Sequence, residues 1–577
     1  MKLNMLSLNV LLLFFALFSC AKPNNNIVGS GNGVDTTRPG GTVTPVDPLV
    51  DATQGFFLDT WVPKTFTAPA YIDTAKPAAA NSIFVTVDAS QIITKVPASI
   101  FGHNANIWME NFTSPVLLNH IKNVKPNIIR FPGGSLSDIF FWNAPKNTPP
   151  TDAPATLLDD KGVASPAGYW YGKNMESWTC SVDNYYNMLQ QTGNQGLITI
   201  NYGYARYGTS ANPVAKAAHL AADWVRYDNG RTKYWEIGNE CNGTWEAGYR
   251  INTAANKDGQ PEIVTGALYG QHVKVFVDSM KKAAQEIGQT IYIGAYILEK
   301  QPESWQTQTD KTWNSGVFAN LNNKADYYVI HSYYTPYQTN ATADLILNTA
   351  TDNTIAMMSY LKQNIPANGG AVKPIALDEW NIFSQGSMQQ VSYINGMHAA
   401  ILLAETIKAK YGMTSRWDLA NGFSSGNDHG LFNIGDEPGV SKWNPRPAFY
   451  YMYYFQKMMG DRMLPSAVIG SDVLTYASSF TSGEKGVILV NKSKYDQVAF
   501  ITLNNATIGA RYYWYSLIGG NDNGEFSRKV FVNGRGPSEI SGGPGEYATL
   551  KPYSASTING IRVALPARSV VYMVIDK

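Results

Sequence analysis

The sequence predicts an α/β fold, a (β/α)8 TIM barrel followed by a C-terminal all-β sandwich domain. Three observations carry this. Eight short β-type runs alternate with helical stretches between about 98 and 460. No Gly-rich phosphate loop follows any of these runs, which argues against an open doubly wound sheet. From about 462 the helical period disappears, and short β runs divided by Gly, Asn and Ser take over. The chain has 577 residues, too many for one small core, and is 44% hydrophobic. Charged residues make up 15% and the formal net charge is +1, so nothing selects a polyanion and nucleic acid is not expected as a partner.

Taken in order, the chain starts with Lys2 and a nearly unbroken apolar run from Leu11 to Phe18. That run is too short to span a bilayer and reads as a secretory signal. Ser19-Cys20 behind it resembles the bacterial lipoprotein cleavage motif, which implies a signal peptide over 1–20 and lipidation at Cys20. The competing reading is an ordinary signal peptide with a chance cysteine. The expected location is secreted, lipid-anchored to the bacterial cell envelope, at the outer membrane or in the periplasm. Membrane contact is expected through the lipid alone, because no later segment is long and apolar enough to cross. Residues 21–54 are rich in Asn, Gly, Thr and Pro and read as a flexible tether. Residues 55–97 form an N-terminal segment whose run Ser82 to Val87 is expected to join the β-sandwich.

The barrel is expected over 98–460. Its eight runs are Ala98 to His103, Asn127 to Phe131, Gly196 to Tyr202, Tyr234 to Glu240, Ile291 to Tyr296, Tyr327 to Tyr333, Pro374 to Trp380 and Ser415 to Ala420. Between them, Val273 to Ile287 and Met397 to Lys408 keep apolar residues at helical spacing. The sandwich is expected over 461–577, with runs such as Val473 to Ser479, Gly486 to Asn491 and Ser569 to Ile575.

Cys180 and Cys241 read as two free, buried thiols, with pairing in an oxidising compartment left open. The seven His are scattered without a ligand-spaced pair, so no metal and no other cofactor is expected. Aromatics reach 12%, with 14 Trp and 34 Tyr. Such faces suit sugar rings but are also ordinary core.

In a barrel of this kind the reactive groups project from the C-terminal strand ends. The second run ends in Arg130, the fourth in Asn239-Glu240, the sixth in His331 and Tyr333 on one face, and the seventh in Asp378-Glu379. Two carboxylates across a barrel mouth are what glycosidic cleavage needs: one protonates the leaving oxygen, the other attacks the anomeric carbon or activates water. The bland alternative is that either Glu is a structural ion-pair partner. Glu236 lies four residues before Glu240 on the same strand face and is expected deeper, paired with Arg130.

These residues carry a resemblance. Tyr234-Trp235-Glu236-Ile237-Gly238-Asn239-Glu240 resembles the acid/base motif of clan A glycoside hydrolases. Leu377-Asp378-Glu379-Trp380-Asn381 resembles the nucleophile motif of the family 51 α-L-arabinofuranosidases, and Arg130-Phe131-Pro132-Gly133-Gly134 and His331-Ser332-Tyr333-Tyr334-Thr335 resemble that family's second and sixth strands. The resemblance implies a retaining hydrolase with a carbohydrate substrate, with Glu240 as acid/base and Glu379 as nucleophile. It makes Asn239 a partner of the sugar 2-hydroxyl. It makes Arg130, His331 and Tyr333 the groups that orient Glu379 and hold it ionised, while Glu240 keeps its proton.

Departures bear on specificity. Ser135-Leu136 stands where the family has Asn-Phe, Cys241 follows the acid/base, and the loop from Gly422 to Asn433 with Asp428 and His429 is this chain's own. Trp142, Trp245, Trp380, Trp417 and Trp443 are candidate sugar platforms, with Trp380 assigned to substrate binding. Rival readings are a β-xylosidase, an endoglucanase or another clan A glycanase, and, in another class, a non-catalytic surface glycan-binding lipoprotein. Oligomeric state is left open.

Overall fold

In the computed structural model, residues 44–469 and 471–577 are described. The signal segment with Cys20, and the tether as far as residue 43, lie outside them. Residues 42–577 form one compact unit, and no helix among the described residues is long and apolar enough to cross a membrane.

Eight strands close a barrel: β1 Gly102–Asn104, β2 Ile128–Phe131, β3 Gln195–Ile200, β4 Thr232–Ile237, β5 Tyr292–Tyr296, β6 Tyr327–Tyr333, β7 Ile375–Asn381 and β8 Met413–Arg416. They pair in sequence order, every pair parallel. After each strand comes a helix: α1 Pro115–Val124, α2 Val182–Thr192, α3 Pro213–Asp228, α4 Gly266–Glu286, α5 Gln308–Leu321, α6 Ala343–Ala367, α7 Tyr393–Lys408 and α8 Pro447–Met458. Their starts have local causes. Pro occupies the first turn of α1, α3 and α8, where its missing N–H costs nothing. Ser181, Thr265, Thr342 and Ser392 cap α2, α4, α6 and α7 through their hydroxyls, and Thr307 and Asp310 form a reciprocal capping box on α5.

Several strand boundaries differ from expectation: the third strand ends at Ile200, not Tyr202, the eighth spans Met413–Arg416 instead of Ser415 to Ala420, and two further differences bear on the site. Ala98–Phe101 is a 3-10 turn, and barrel pairing begins at Gly102. There the β8 backbone comes so close that a Cβ would meet the Thr414 carbonyl at 2.4 Å, so only glycine fits. The fourth strand ends at Ile237; Gly238 (φ +75°) and Glu240 (φ +40°) then turn the chain across the barrel mouth in left-handed conformations. For Glu240 that backbone is strained, and strain of this kind gathers at functional positions.

The other end of the barrel is stoppered by the segment before it. A 3-10 turn at Gly55–Leu58 places Phe56 on Tyr292, ring centroids 3.8 Å apart, and Phe57 on Tyr234 at 5.1 Å and edge-on to Tyr327. The expected tether is docked from Asp47 onward. Asp47 pairs with Arg462 and Lys95, Thr53 donates to the Lys410 carbonyl, and Gln54 accepts from Thr94.

Beyond α8 lie two sheets packed as a sandwich. One runs Ile72–Asp73, Tyr553–Ser556, Arg511–Gly519, Ser569–Ile575, Lys485–Asn491, Val473–Ser479, Arg462–Leu464 and Thr94–Lys95, with Val530–Val532 on its flank. The other runs Ser466–Val468, Ile83–Asp88, Gln497–Asn504 and Ile561–Leu565. The early strand joins the sandwich as expected, with Ile83, Val85 and Val87 facing its core. The outer face of the larger sheet packs on α7 and α8: Tyr476 donates to Glu405 at 2.7 Å, and Tyr572 donates to the Tyr451 carbonyl at 2.9 Å. Fifteen residues of α7, Tyr393 through Ile407, are buried, because the helix is covered by the barrel on one side and the sheet on the other.

Candidate active site

At the C-terminal end of the barrel one cation organises four strands. Arg130 on β2 is completely buried. Its Nε donates to Glu236 at 2.5 Å, Nη1 to Asn104 at 3.0 Å and to Glu379 at 3.1 Å, and Nη2 to Asn239 at 2.8 Å. Burial alone would weaken the guanidinium's hold on its proton, but Glu236, Asp378 and Glu379 overcome it and hold Arg130 charged. The expected Arg130–Glu236 pair is thus present below the mouth.

His331 on β6 stands between the two candidate glutamates. Its Nδ1 lies 2.9 Å from Glu240 Oε1 and 3.6 Å from Glu379 Oε2, and Nε2 lies 3.1 Å from Asp378 Oδ1. Burial disfavours the imidazolium, but the three surrounding carboxylates raise its pKa well above the ordinary value, which favours a proton on both ring nitrogens, with Nδ1 bonded to Glu240. Tyr333, two residues on, donates to Glu379 Oε1 at 2.6 Å. One oxygen of Glu240, one of Glu379 and a ring nitrogen of His331 all lie within 4.8 Å of one another. By residue type this trio could hold a metal ion, and binding one at Nδ1 would have to displace the proton that the surrounding carboxylates favour there.

The geometry redistributes the expected roles. Arg130 and Tyr333 bind Glu379, as the sequence suggested, whereas His331 sits closer to Glu240. The directions in which the two pKa values move are also the reverse of those expected. Burial raises Glu379, and together with the Glu240 charge it outweighs the lowering by His331, Arg130 and the Tyr333 hydrogen bond. Burial raises Glu240 too, but the His331 hydrogen bond and charge, helped by the Trp245 indole, bring it below the ordinary value. Two carboxyls this close titrate as a coupled pair. Asn239 is nearly buried: its Oδ1 accepts from Arg130, and one proton of its Nδ2 goes to Glu246 at 2.9 Å, leaving the other for a ligand.

The tryptophans divide. Trp380 is 0% exposed and offers no face to a sugar; it lies within the packed wall of β7, which corrects its assignment to substrate binding. Trp142 stacks on Trp224 in the core, and Trp443 is buried. Trp417 covers Gly134 in the Pro-Gly-Gly turn, where a Cβ would strike its ring at 2.7 Å. Trp245 alone of the five stands open, 65% exposed, and its Nε1 donates to Glu240 Oε2 at 3.1 Å.

Sequence reading missed three acids behind the site. Asp378 bridges His331 and Arg130, at 3.1 and 3.7 Å. Asp138 accepts the backbone N–H groups of Tyr202, Gly203 and Asn239, at 2.9, 3.1 and 3.2 Å, and so ties the exits of β3 and β4 together. Burial pushes Asp138 up to about 7 against those three bonds. Glu246 receives Asn239 and Ser135. Asp378 had a signal, since it precedes Glu379; the other two join segments far apart in the chain. Cys180 and Cys241 are both free and buried.

Comparison with solved structures places this arrangement. The α-L-arabinofuranosidase of Thermotoga maritima superimposes with a TM-score of 0.59 at 16% identity, over 86% of this chain and 100% of that one. The chain has the fold of the clan A glycoside hydrolases. The family 51 α-L-arabinofuranosidase of Thermotoga petrophila gives a TM-score of 0.59 at 15% identity over the same shares. A family 44 xyloglucanase of Paenibacillus polymyxa gives 0.55 at 12%, again over 86% of this chain and 100% of that one. No protein-family model matches the sequence, and no curated protein matches it by sequence. The clan A fold, with its barrel and trailing β domain, is therefore shared with enzymes of more than one specificity.

Proposed function

We propose that this protein is a retaining glycoside hydrolase of arabinofuranosidase type, with Glu379 as nucleophile and Glu240 as acid/base. The observation that carries the reading is the approach of the two carboxylates: an oxygen of each lies within 4.8 Å of the other, on strand ends four and seven. Retaining enzymes need about 5–5.5 Å between the carboxyl groups, whereas inverting ones need about 6.5–9.5 Å to seat a water.

Glu379 attacks the anomeric carbon while Glu240 gives its proton to the leaving oxygen. Glu240 then takes a proton from water, which breaks the glycosyl–Glu379 ester. Arg130 Nη1 and the Tyr333 hydroxyl aim Glu379 and stabilise its charge. The first step requires the proton on Glu240 and the charge on Glu379. His331 Nδ1, 2.9 Å from Glu240 and 3.6 Å from Glu379, is placed to favour it: moving its bond to Glu379 raises the pKa of the first and lowers that of the second. A glycanase acting on longer chains is the second reading, favoured by the exposed Trp245 beside the acid/base.

Proton NMR of the first-formed sugar tests the mechanism; it should show the substrate's own anomer before mutarotation. An inverted first product would overturn it. Glu240→Ala should lose about 10²–10⁴-fold on substrates with poor leaving groups, keep turnover on activated aryl glycosides, and be rescued by azide. Binding without turnover across a panel of arabinosides, xylosides and glucosides would instead point to a glycan-binding lipoprotein.

A further inference from the structure

Aromatic side chains that stand in solvent are clustered on the loops that follow β4, β5 and β6. Trp245 is 65% exposed, Trp305 81% and Tyr337 68%. Trp245 and Tyr337 are held by contacts of their own rings, Trp305 by the anchoring of its loop. The Trp245 ring lies across Gly243, where a Cβ would strike it at 2.6 Å, and its indole nitrogen is bonded to Glu240, so one face is fixed and the other open. Trp305 precedes Thr307 and Asp310, the capping box of α5, and Asp310 is joined to the β4 loop by the Asn242 amide at 2.6 Å. Tyr337 packs edge-on against Phe383 at 4.9 Å, and Phe383 stacks on Tyr333 at 4.1 Å, whose hydroxyl reaches Glu379. The three rings therefore stand in order on the loops after adjacent strands, an arc whose ends, Trp245 and Tyr337, lead to Glu240 and to Glu379.

We infer that this arc is a binding surface for the leaving-group portion of a neutral glycan chain, at least two sugar units long. The inference rests on the reading of Glu240 as acid/base. The group Glu240 protonates departs on its own side of the mouth, the side on which Trp245 is bonded to it. Sugar rings present apolar C–H faces that stack on indole and phenol rings while their hydroxyls stay in water, so open aromatic faces on neighbouring loops suit successive sugar units. The arc thus selects substrates cut within a chain or next to a long one.

Trp305→Ala and Tyr337→Ala test this, because neither residue touches a reacting group and both are exposed. Turnover is measured on an aryl monoglycoside and on arabino-, xylo- and gluco-oligosaccharides of two to six units. Calorimetric binding of the same oligosaccharides to Glu379→Gln is measured with and without each change. The expected result is an aryl monoglycoside rate unchanged in both variants. For oligosaccharides with two or more units on the leaving side, KM and the dissociation constant should rise about tenfold. Equal effects on short and long substrates, or none on either, would overturn the arc. So would failure of every oligosaccharide to bind. Length-dependent binding without any turnover would uphold the arc and overturn the catalytic reading instead.

Discussion

The two ends of the barrel are built from the same strands and could hardly differ more. At the N-terminal end, Tyr234, Tyr292 and Tyr327 lie near the starts of β4, β5 and β6 and are sealed by Phe56 and Phe57. At the C-terminal end, β2, β6 and β7 carry Arg130, His331, Asp378 and Glu379, with Glu240 just beyond β4, all drawn into one charged network. Apolar contact is non-directional and tolerates repacking. Buried charges are stable only with all partners in place, and removing one strands the rest. The first end stores stability, and the second spends it on holding reactive groups in fixed geometry.

Four changes sharpen or break this contrast. The largest effect is expected at the charged end: Glu379→Gln should reduce turnover by about 10⁴-fold or more, with only a small change in melting temperature, since Arg130 keeps Glu236 and Asp378 and the amide oxygen can still accept its bond. A large loss of stability with it would make Glu379 structural. At the apolar end, Phe57→Ala should cost about 3–5 kcal/mol in denaturant unfolding, while kcat/KM per folded molecule stays at the wild-type value. Loss of catalytic efficiency in the folded fraction would show the two ends to be coupled. A smaller effect is expected from Tyr333→Phe. The Tyr333 hydrogen bond lowers the pKa of Glu379, so its removal raises that pKa further. Glu379 must be ionised to attack, so the acid limb of the kcat/KM–pH profile should move to higher pH; a limb that stays or moves down contradicts the assignment of Glu379. The smallest effect on turnover, none, is expected from Cys20→Ser, proposed to remove the lipid anchor. That protein should leave the membrane fraction with kcat/KM intact, and its retention there would place the anchor elsewhere.

The contrast was half legible in the sequence. Strand order followed from eight apolar runs, because parallel barrel strands are buried on both faces and read as continuous hydrophobic stretches. Glu240 and Glu379 stood out because they close such runs, and the Arg130–Glu236 pair followed from strand periodicity. What stayed hidden depends on contacts between distant segments. Asp138 serves Gly203 and Asn239 from another loop, and no spacing announces that. The placement of His331 nearer Glu240 arises where the register between β6 and β7 shifts after Ile330, a slip that pattern reading does not see. Trp380 misled because one composition serves sugar platforms and core alike. The stopper at Phe56-Phe57 was invisible because its short turn has no period of its own.

Helix α7 has a consequence for how this molecule is made and broken. Its residues Ile394, Met397, Ile401 and Leu403 belong to the same apolar mass as Tyr476, Ile488, Tyr515 and Tyr572 of the larger sheet. The eighth part of the barrel's outer ring is therefore also the floor beneath the C-terminal domain. A chain cut after α8 would leave α7 and α8 with a wide oily flank in water, the kind of surface that drives self-association. Barrel and sandwich should melt in a single step and resist being grafted, swapped or inherited separately, so that a region remote from the two glutamates is as much a condition of the proposed catalysis as they are.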